Sequence, residues 1–322
     1  MQNISIAEII SLIEAASDNE KEQINEYLNQ ENTLIKVTNV INSIAELNHD
    51  CPHCKSTNTR RFGKTLKGLQ RYQCRECMKT YNALTGSPLS HLHKREQWLN
   101  MAKALQNRET LDQTAARCGT GHATAFRWRH RFLQSSAQDM ADNLDGIVEA
   151  DETYFHRSHK GKNLVGWKPR KRGGKLKHHP GISSFLVGVV VAVDRAGGIV
   201  DGVLKDNSTV SISNILKGKL SSSVKLCIDG GNALWGFAQQ NKLSCAVMPQ
   251  GKYVSEYEPC FHIQTVNSYH SHLKSWMRHF RGVATKYLQN YLGWFRRFKR
   301  ENLSIPDFAW IQSSVTFQCN SF

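Results

Sequence analysis

The sequence predicts an α/β protein in which helices and a small four-cysteine module precede a mixed-sheet domain. Three observations carry that prediction. Two Cys-x-x-Cys pairs, Cys51/Cys54 and Cys74/Cys77, are separated by 19 residues. Strand-like apolar alternation begins near Gly146, after a largely helical first part. Helical spacing then returns from about 265 to 300.

At 322 residues the chain can bury a sizeable core and is long enough for two or three domains. Its formal charge is +15 and is unevenly spread. Residues 1–50 carry nine acids and two bases, a net of −7, which leaves +22 for the rest. A basic body behind an acidic head points to a polyanion partner, and nucleic acid is the commonest. No run of 18 apolar residues exists, so no membrane span is expected, and no signal-peptide layout opens the chain. Nine cysteines, an odd number without such a leader, point to a reducing compartment. Cys118, Cys227, Cys245, Cys260 and Cys319 lack ligand spacing and read as buried or free thiols.

Residues 5–48 read as two helices: Ser5 and Glu8 have capping-box spacing, and Ile6, Ile9, Ile10 and Ile13 recur at helical intervals. In the cysteine module each pair sets two thiolates on a tight turn, and two such turns close a tetrahedral zinc site. Cys51, Cys54, Cys74 and Cys77 are therefore expected to hold a structural Zn²⁺ in a segment too short to fold on burial alone; the competing reading of a Cys-x-x-Cys is a redox pair. Arg60, Arg61, Lys64, Lys67, Arg71, Arg75 and Lys79, with Phe62, Tyr72 and Tyr81, make the module a basic hairpin suited to phosphates.

Residues 110–119 look like the first helix and turn of a helix-turn-helix, with Ala115 and Ala116 for close crossing and Gly119 or Gly121 for the turn. The next helix, about 122–133, carries Arg127, Arg129 and Arg131 as candidate DNA contacts, with Phe126, Trp128 and Phe132 to pack. An ordinary basic surface helix is the alternative. Five strands follow, at 147–154, 184–193, 199–204, 224–229 and 243–248, with Asp194 and Asp206 as turn residues.

The candidate catalytic residues are Asp151 on the first strand, Asp229 at a strand end before Gly230-Gly231, and Asn267 opening a helix. Phosphoryl transfer with two metal ions needs hard oxygen ligands converging on sites about 4 Å apart, which Asp and Asn side chains supply. Glu149 and Asp151 share a strand face. Lys274 lies seven residues after Asn267, roughly 10 Å along the same helix face, a reach suited to DNA phosphate. His270 reads as a supporting or surface residue. Singly each signal is weak, because a strand-end Asp is often a turn cap and an Asn before a helix is often its N-cap.

Taken together, the paired cysteines, the helix-turn-helix, Glu149-Ala150-Asp151-Glu152-Thr153-Tyr154, Cys227-Ile228-Asp229-Gly230 and Val266–Lys274 resemble the zinc-ribbon insertion-sequence transposases of the DDE superfamily, in their Asp-Asp-Asn-Lys form. Gly282–Leu288 adds to the likeness, which covers about 50–300. The resemblance implies an RNase H-like catalytic domain, with Asp151, Asp229 and Asn267 as ligands for two Mg²⁺ ions and Lys274 near DNA. It also implies a cytoplasmic, bacterial setting and a homo-oligomer on transposon ends and target DNA. Expected boundaries are a helical region at 1–48, the ribbon at 49–90, the helix-turn-helix at 91–140, the catalytic domain at 141–301 and a tail at 302–322. A non-catalytic, domesticated DNA-binding regulator and a plain nuclease are the rival readings.

Two acid-free stretches complete the survey. Residues 156–193 carry nine bases, Arg170, Lys171 and Arg172 among them, in a Gly-containing insert that could wrap DNA or simply be solvated. Residues 259–300 carry eight Lys and Arg, with Trp276 and Trp294 available for packing or base stacking.

Overall fold

The computed structural model describes residues 5–47, 50–161, 185–249, 251–255, 258–301 and 305–317. They divide into two compact units: residues 1–132 with 305–322, and residues 133–304.

The first unit opens with α1 (Ile6–Ala15) and α2 (Asp18–Leu47). The capping box forms as read: Ser5 accepts from the Glu8 N–H, and Glu8 accepts from the Ser5 N–H at 2.7 Å. Asn42 on α2 meets the ribbon, donating to the Gly68 carbonyl and accepting from the Gln70 N–H. The ribbon is antiparallel: β1 (Thr59–Lys64), β2 (Gln70–Cys74) and β3 (Thr80–Tyr81). Its four cysteines present sulfur atoms within 4.8 Å of one another. Cys51 and Cys77 lie 3.6 Å apart and Cys54 and Cys74 3.5 Å apart. The N–H groups of Cys77 and Glu76 point at the Cys74 sulfur, and the Cys77 contact leads in drawing that thiol down to about 7. Four crowded thiols on two turns, with N–H donors aimed at a sulfur, have the form of a closed zinc site.

After a 3₁₀ turn at Arg95–Gln97 come α3 (Trp98–Gln106), α4 (Leu111–Arg117) and α5 (His122–Phe132). Gly119, at φ +54°, ends α4. Its N–H and that of Thr120 return to the carbonyls of Ala116 and Ala115, and glycine takes this left-handed position without strain. Thr114 and Cys118 face the interior and Ala115 is half-buried, whereas Ala116 is exposed, which corrects the expected close crossing at Ala116. Two of the three candidate DNA arginines are used inside this unit. Arg129 is 1% exposed and donates to Thr114 Oγ1 and the Glu109 carbonyl, tying α5 to α4. Arg131 is half-buried and donates to the carbonyls of Pro88 and Ser90. Arg127 is exposed.

The second unit starts with the short α6 (Gln134–Gln138) and builds a five-stranded mixed sheet. Its strands are β4 (Ile147–His156), β5 (Leu186–Asp194), β6 (Ile199–Val203), β7 (Lys225–Ile228) and β8 (Ser244–Val247). The spatial order is β6-β5-β4-β7-β8; β4, β5 and β6 pair antiparallel, and β7 and β8 run parallel to β4. That order is RNase H-like. The Asp194 carboxylate accepts from the Gly198 N–H and closes the β5–β6 turn, while Asp206 accepts from Ser208 and Ser211.

Helices α7 (Thr209–Leu216) and α8 (Asn232–Gln240) cover one face, burying Ile212, Leu216, Leu234 and Phe237 against Val148, Ala150, Val190 and Leu226. Helices α9 (Gln264–His279) and α10 (Leu288–Arg300) pack together through an aromatic cluster. Trp276 lies edge-on to Trp294 at 5.3 Å, and both are buried, so packing rather than base stacking is their role. Arg296, also buried, pairs with Asp201 and donates to the Ser136 and Asp139 carbonyls, and Tyr269 donates to Asp201 at 2.7 Å. The Gly282–Leu288 motif anchors the start of the basic insert: Ser158 and Thr285 exchange hydrogen bonds, and Lys160 donates to the Arg281 and Gly282 carbonyls. Arg170, Lys171 and Arg172 lie outside the described residues.

The last helix, α11 (Asp307–Thr316), returns to the first unit. Trp310 and Ile311 are fully buried there, and Ser314 donates to the Phe132 carbonyl.

Two outcomes follow. Purified protein should contain one zinc per chain by metal analysis, and Cys51→Ser with Cys74→Ser should release it; stoichiometric zinc in that double variant would contradict the site. Gly293 on α10 faces the Ser136 backbone so closely that an added Cβ would overlap it. Gly293→Ala should therefore cost about 1–3 kcal/mol by forcing α10 off α6, read as a lowered denaturant midpoint.

Candidate active site

The site begins with strand register. β4 pairs parallel with β7 from Ile147/Lys225 to Glu149/Cys227. Two residues further in the same direction come Asp151 and Asp229, just past the last paired residues. Asp229 leaves the sheet here: β7 has ended, Gly230 takes φ +85°, and the Asp229 carboxylate accepts from the Gly231 N–H at 2.9 Å. Because β7 pairs no further along β4, that flank of β4 opens into a cleft of about 530 Å³. Asp151, Glu152, Thr153 and Tyr154 line one side, and Gln264, Asn267, His270, Ser271 and Lys274 line the other along one face of α9.

Carboxylate oxygens of Asp151, Glu152 and Asp229 lie within 4.8 Å of one another. Glu152 is the member that strand alternation misses, since period two assigns neighbouring residues to opposite faces. Where the neighbouring strand has stopped, both side chains can reach the open flank. The crowding has an electrostatic signature. Burial first, and then the Asp229 charge, push the Asp151 carboxyl up to about 6. Burial, followed by the charges of Asp151 and Asp229, pushes Glu152 up to about 7. Three converging acids that resist ionisation together are what a divalent cation relieves, and hard carboxylate oxygens suit Mg²⁺ or Mn²⁺. The donor set fits such an ion.

Asn267 is the fourth residue of α9, with Ile263 at the N-cap position and the Asn267 N–H donating to the Ile263 carbonyl. It is therefore no N-cap, and its side chain is left to face the cleft. Lys274 follows two turns later, exposed on the same wall, and its cation opposes the rise at Asp151. His270, between them, is buried with Nδ1 3.6 Å from the Asp151 carboxylate. Burial, then the Lys274 charge, lowers its pKa to about 4, so the ring is neutral at pH 7. It packs beside Asp151 as a supporting group.

Glu149 shares the strand face of Asp151 but does not join the carboxylate cluster. It is 1% exposed and accepts from the Thr265 N–H at 2.7 Å and the Val266 N–H at 3.0 Å. Its other oxygen meets the Arg195 guanidinium at 2.7 Å and the His262 ring at 3.2 Å.

Comparison with known proteins gives three successive family matches. Residues 44–78 match the InsA N-terminal domain, a zinc ribbon; residues 92–141 match the homeodomain-like domain; and residues 143–299 match the ISXO2-like transposase domain. A curated relative from Halobacterium salinarum, described as an uncharacterized protein in transposable element ISH50, is 26% identical over 261 residues, covering 80% of this chain and 86% of its own. Among solved structures, the chain in a pre-cleavage Mos1 transpososome aligns with 67% of this chain and 77% of its own, at 11% identity and a TM-score of 0.21. The Mos1 mariner paired end complex with Mn aligns at 12% identity, with 67% and 79% coverage and the same TM-score. Residues 143–299 thus match an ISXO2-like transposase domain behind a zinc ribbon and a homeodomain-like domain, the domain order of the zinc-ribbon insertion-sequence transposases of the DDE superfamily, which this chain resembles.

Proposed function

We propose that this chain cuts DNA at insertion-sequence ends and joins the freed ends to target DNA, using Asp151, Asp229 and Asn267 as ligands for two Mg²⁺ ions. One observation carries the reading: Asp151 and Glu152, with Asp229 clustered against them, line a cleft whose facing wall presents Asn267 and Lys274. When bound, the ions supply Lewis acidity that sharpens a water or DNA 3′-hydroxyl as nucleophile and offsets charge on the leaving oxygen. Asp151 and Asp229 bring charge to the site and Glu152 adds to it. Asn267 contributes a neutral oxygen from the opposite wall. Lys274 grips a DNA phosphate beside the scissile one, and His270 fills space behind Asp151 without adding charge.

DNA recognition falls to the ribbon and helix-turn-helix, through exposed Arg60, Arg61, Lys64 and Arg127. Arg129 and Arg131 act indirectly, by fixing α5. Arg170, Lys171 and Arg172 are assigned to DNA on charge alone. We place the activity in the cytoplasm, on a homo-oligomer that holds two ends; no helix among the described residues is long and apolar enough to cross a membrane.

The test is cleavage of a labelled end substrate with Mg²⁺, run beside binding on the same variants. Asp151→Ala and Asn267→Ala should abolish cleavage with end binding intact. Asn267→Asp should keep partial activity, because it supplies a similar oxygen with added charge. Lys274→Ala should lower strand transfer. Full cleavage by folded Asn267→Ala would remove Asn267 from the site, and metal-independent DNA binding with no cleavage by the wild type would favour the regulator. DNA affinity should fall steeply with salt, and neutralising Arg170, Lys171 and Arg172 should reduce the log–log slope by up to about three. An unchanged slope would return the insert to solvated surface.

A further inference from the structure

The geometry points to Glu149 as a positioning residue that clamps the Asn267-bearing helix to the Asp151-bearing strand. This inference rests on the metal-site reading above and adds a group that reading does not use.

The first N–H groups of a helix have no partner within it, and a buried helix start must find acceptors elsewhere. On α9 the N-cap position is Ile263, whose side chain accepts nothing. The acceptor comes instead from β4, 116 residues away in sequence: one Glu149 oxygen takes both the Thr265 and Val266 N–H groups. Asn267 is the next residue along the helix, and Asp151 is two residues along the strand from Glu149. The two proposed ligands are thus referenced to a single carboxylate. Negative charge at a helix N-terminus is favourable, and inside the protein the contact is little screened.

The clamp is itself held. Arg195, in the turn after β5, reaches the second Glu149 oxygen at 2.7 Å. Its guanidinium also donates to Thr265 Oγ1 and the Cys260 carbonyl, just ahead of α9. His262 Nδ1 accepts from the Gln264 N–H, so its ring stands 3.2 Å from the same Glu149 oxygen as a neighbour and not as a donor. The carboxylate is fully buried yet faces a guanidinium and two helix N–H groups, the setting in which a buried charge is tolerated.

An amide ligand gives this arrangement its purpose. A carboxylate on α9 would be drawn toward a divalent cation by charge and could pull its helix into place. An amide oxygen offers only a dipole, so the helix must already stand where the oxygen is needed. In this chain that work falls to Glu149.

Glu149→Ala and Glu149→Gln test the clamp through Mn²⁺ affinity of the DNA-free protein, followed by electron paramagnetic resonance. The alanine variant should bind Mn²⁺ about 10–100-fold more weakly, and glutamine, which keeps one acceptor oxygen, should recover part of that loss. Amide exchange at Thr265–Ser271 should quicken in both, with α10, zinc content and end binding unchanged. If Glu149→Ala does not fold, Arg195→Gln carries the test: it leaves the helix acceptor in place but frees it to move, and should give a smaller fall in the same two readouts. Wild-type Mn²⁺ affinity and exchange in a folded Glu149 variant would overturn the clamp. Asp151→Asn is the control for the parent reading. Unchanged Mn²⁺ affinity there would overturn the metal site, and exchange at the start of α9 alone would then decide whether Glu149 holds the helix.

Discussion

Parallel pairing of β4 with β7 is the constraint on which unit 2 depends. It sets Asp151 beside Asp229, and it buries Val148 and Ala150 with Leu226 and Ile228 against α7 and α8. A one-residue slip would turn the apolar side chains of a strand to the wrong face and separate the two carboxylates at once. The core and the site therefore rest on one register, and apolar burial on the helix-covered face is what enforces it. The early end of β7 matters equally, because it leaves the last part of β4 with an open flank where charged side chains can converge.

Arg296 shows how the wall opposite the strand is made rigid. Its guanidinium meets Asp201 on β6 and the carbonyls of Ser136 and Asp139, and Asp201 also accepts from Tyr269 on α9. One buried network thus spans α6, β6, α9 and α10. Removing either charged partner would strand the other in the interior, a loss of several kcal/mol in comparable cases. Tyr269 lies between Asn267 and Lys274, so the network fixes the helix that carries both.

The strands were legible because each is a short apolar run bounded by turn residues, and a five-stranded mixed sheet forms at nearly the expected places. Paired cysteine spacing disclosed the ribbon for a similar reason: metal ligands on tight turns leave a local pattern. What escaped depends on partners distant in sequence. Arg129 looked like a phosphate contact on a basic helix, but its acceptors, Glu109 and Thr114, lie on the preceding turn and helix. Residues 302–322 read as a tail, although Trp310, Ile311 and Val315 supply a buried face for α2, α3 and α5. Glu152 was hidden by the period-two rule, which holds within a paired strand and weakens where the neighbour stops. Glu149 was placed on the right face, but no local signal announces a helix cap supplied from 116 residues away.

In the proposed site, charge accounts for an amide in the third position. With Asp151, Asp229 and Asn267 alone, two divalent ions would meet two negative charges. Glu152 brings a third carboxylate within 4.8 Å of both aspartates, restoring the count of an all-carboxylate triad from the strand side of the cleft. The raised pKa values of Asp151 and Glu152 follow from that arrangement, since burial and mutual repulsion both favour the protonated forms. A divalent cation in the proposed site would favour the ionised forms, so its binding would be coupled to their deprotonation. Asn267 takes no part in that coupling, having no proton to lose. Its oxygen is available whatever the protonation state of the acids, provided the helix that carries it is held in place.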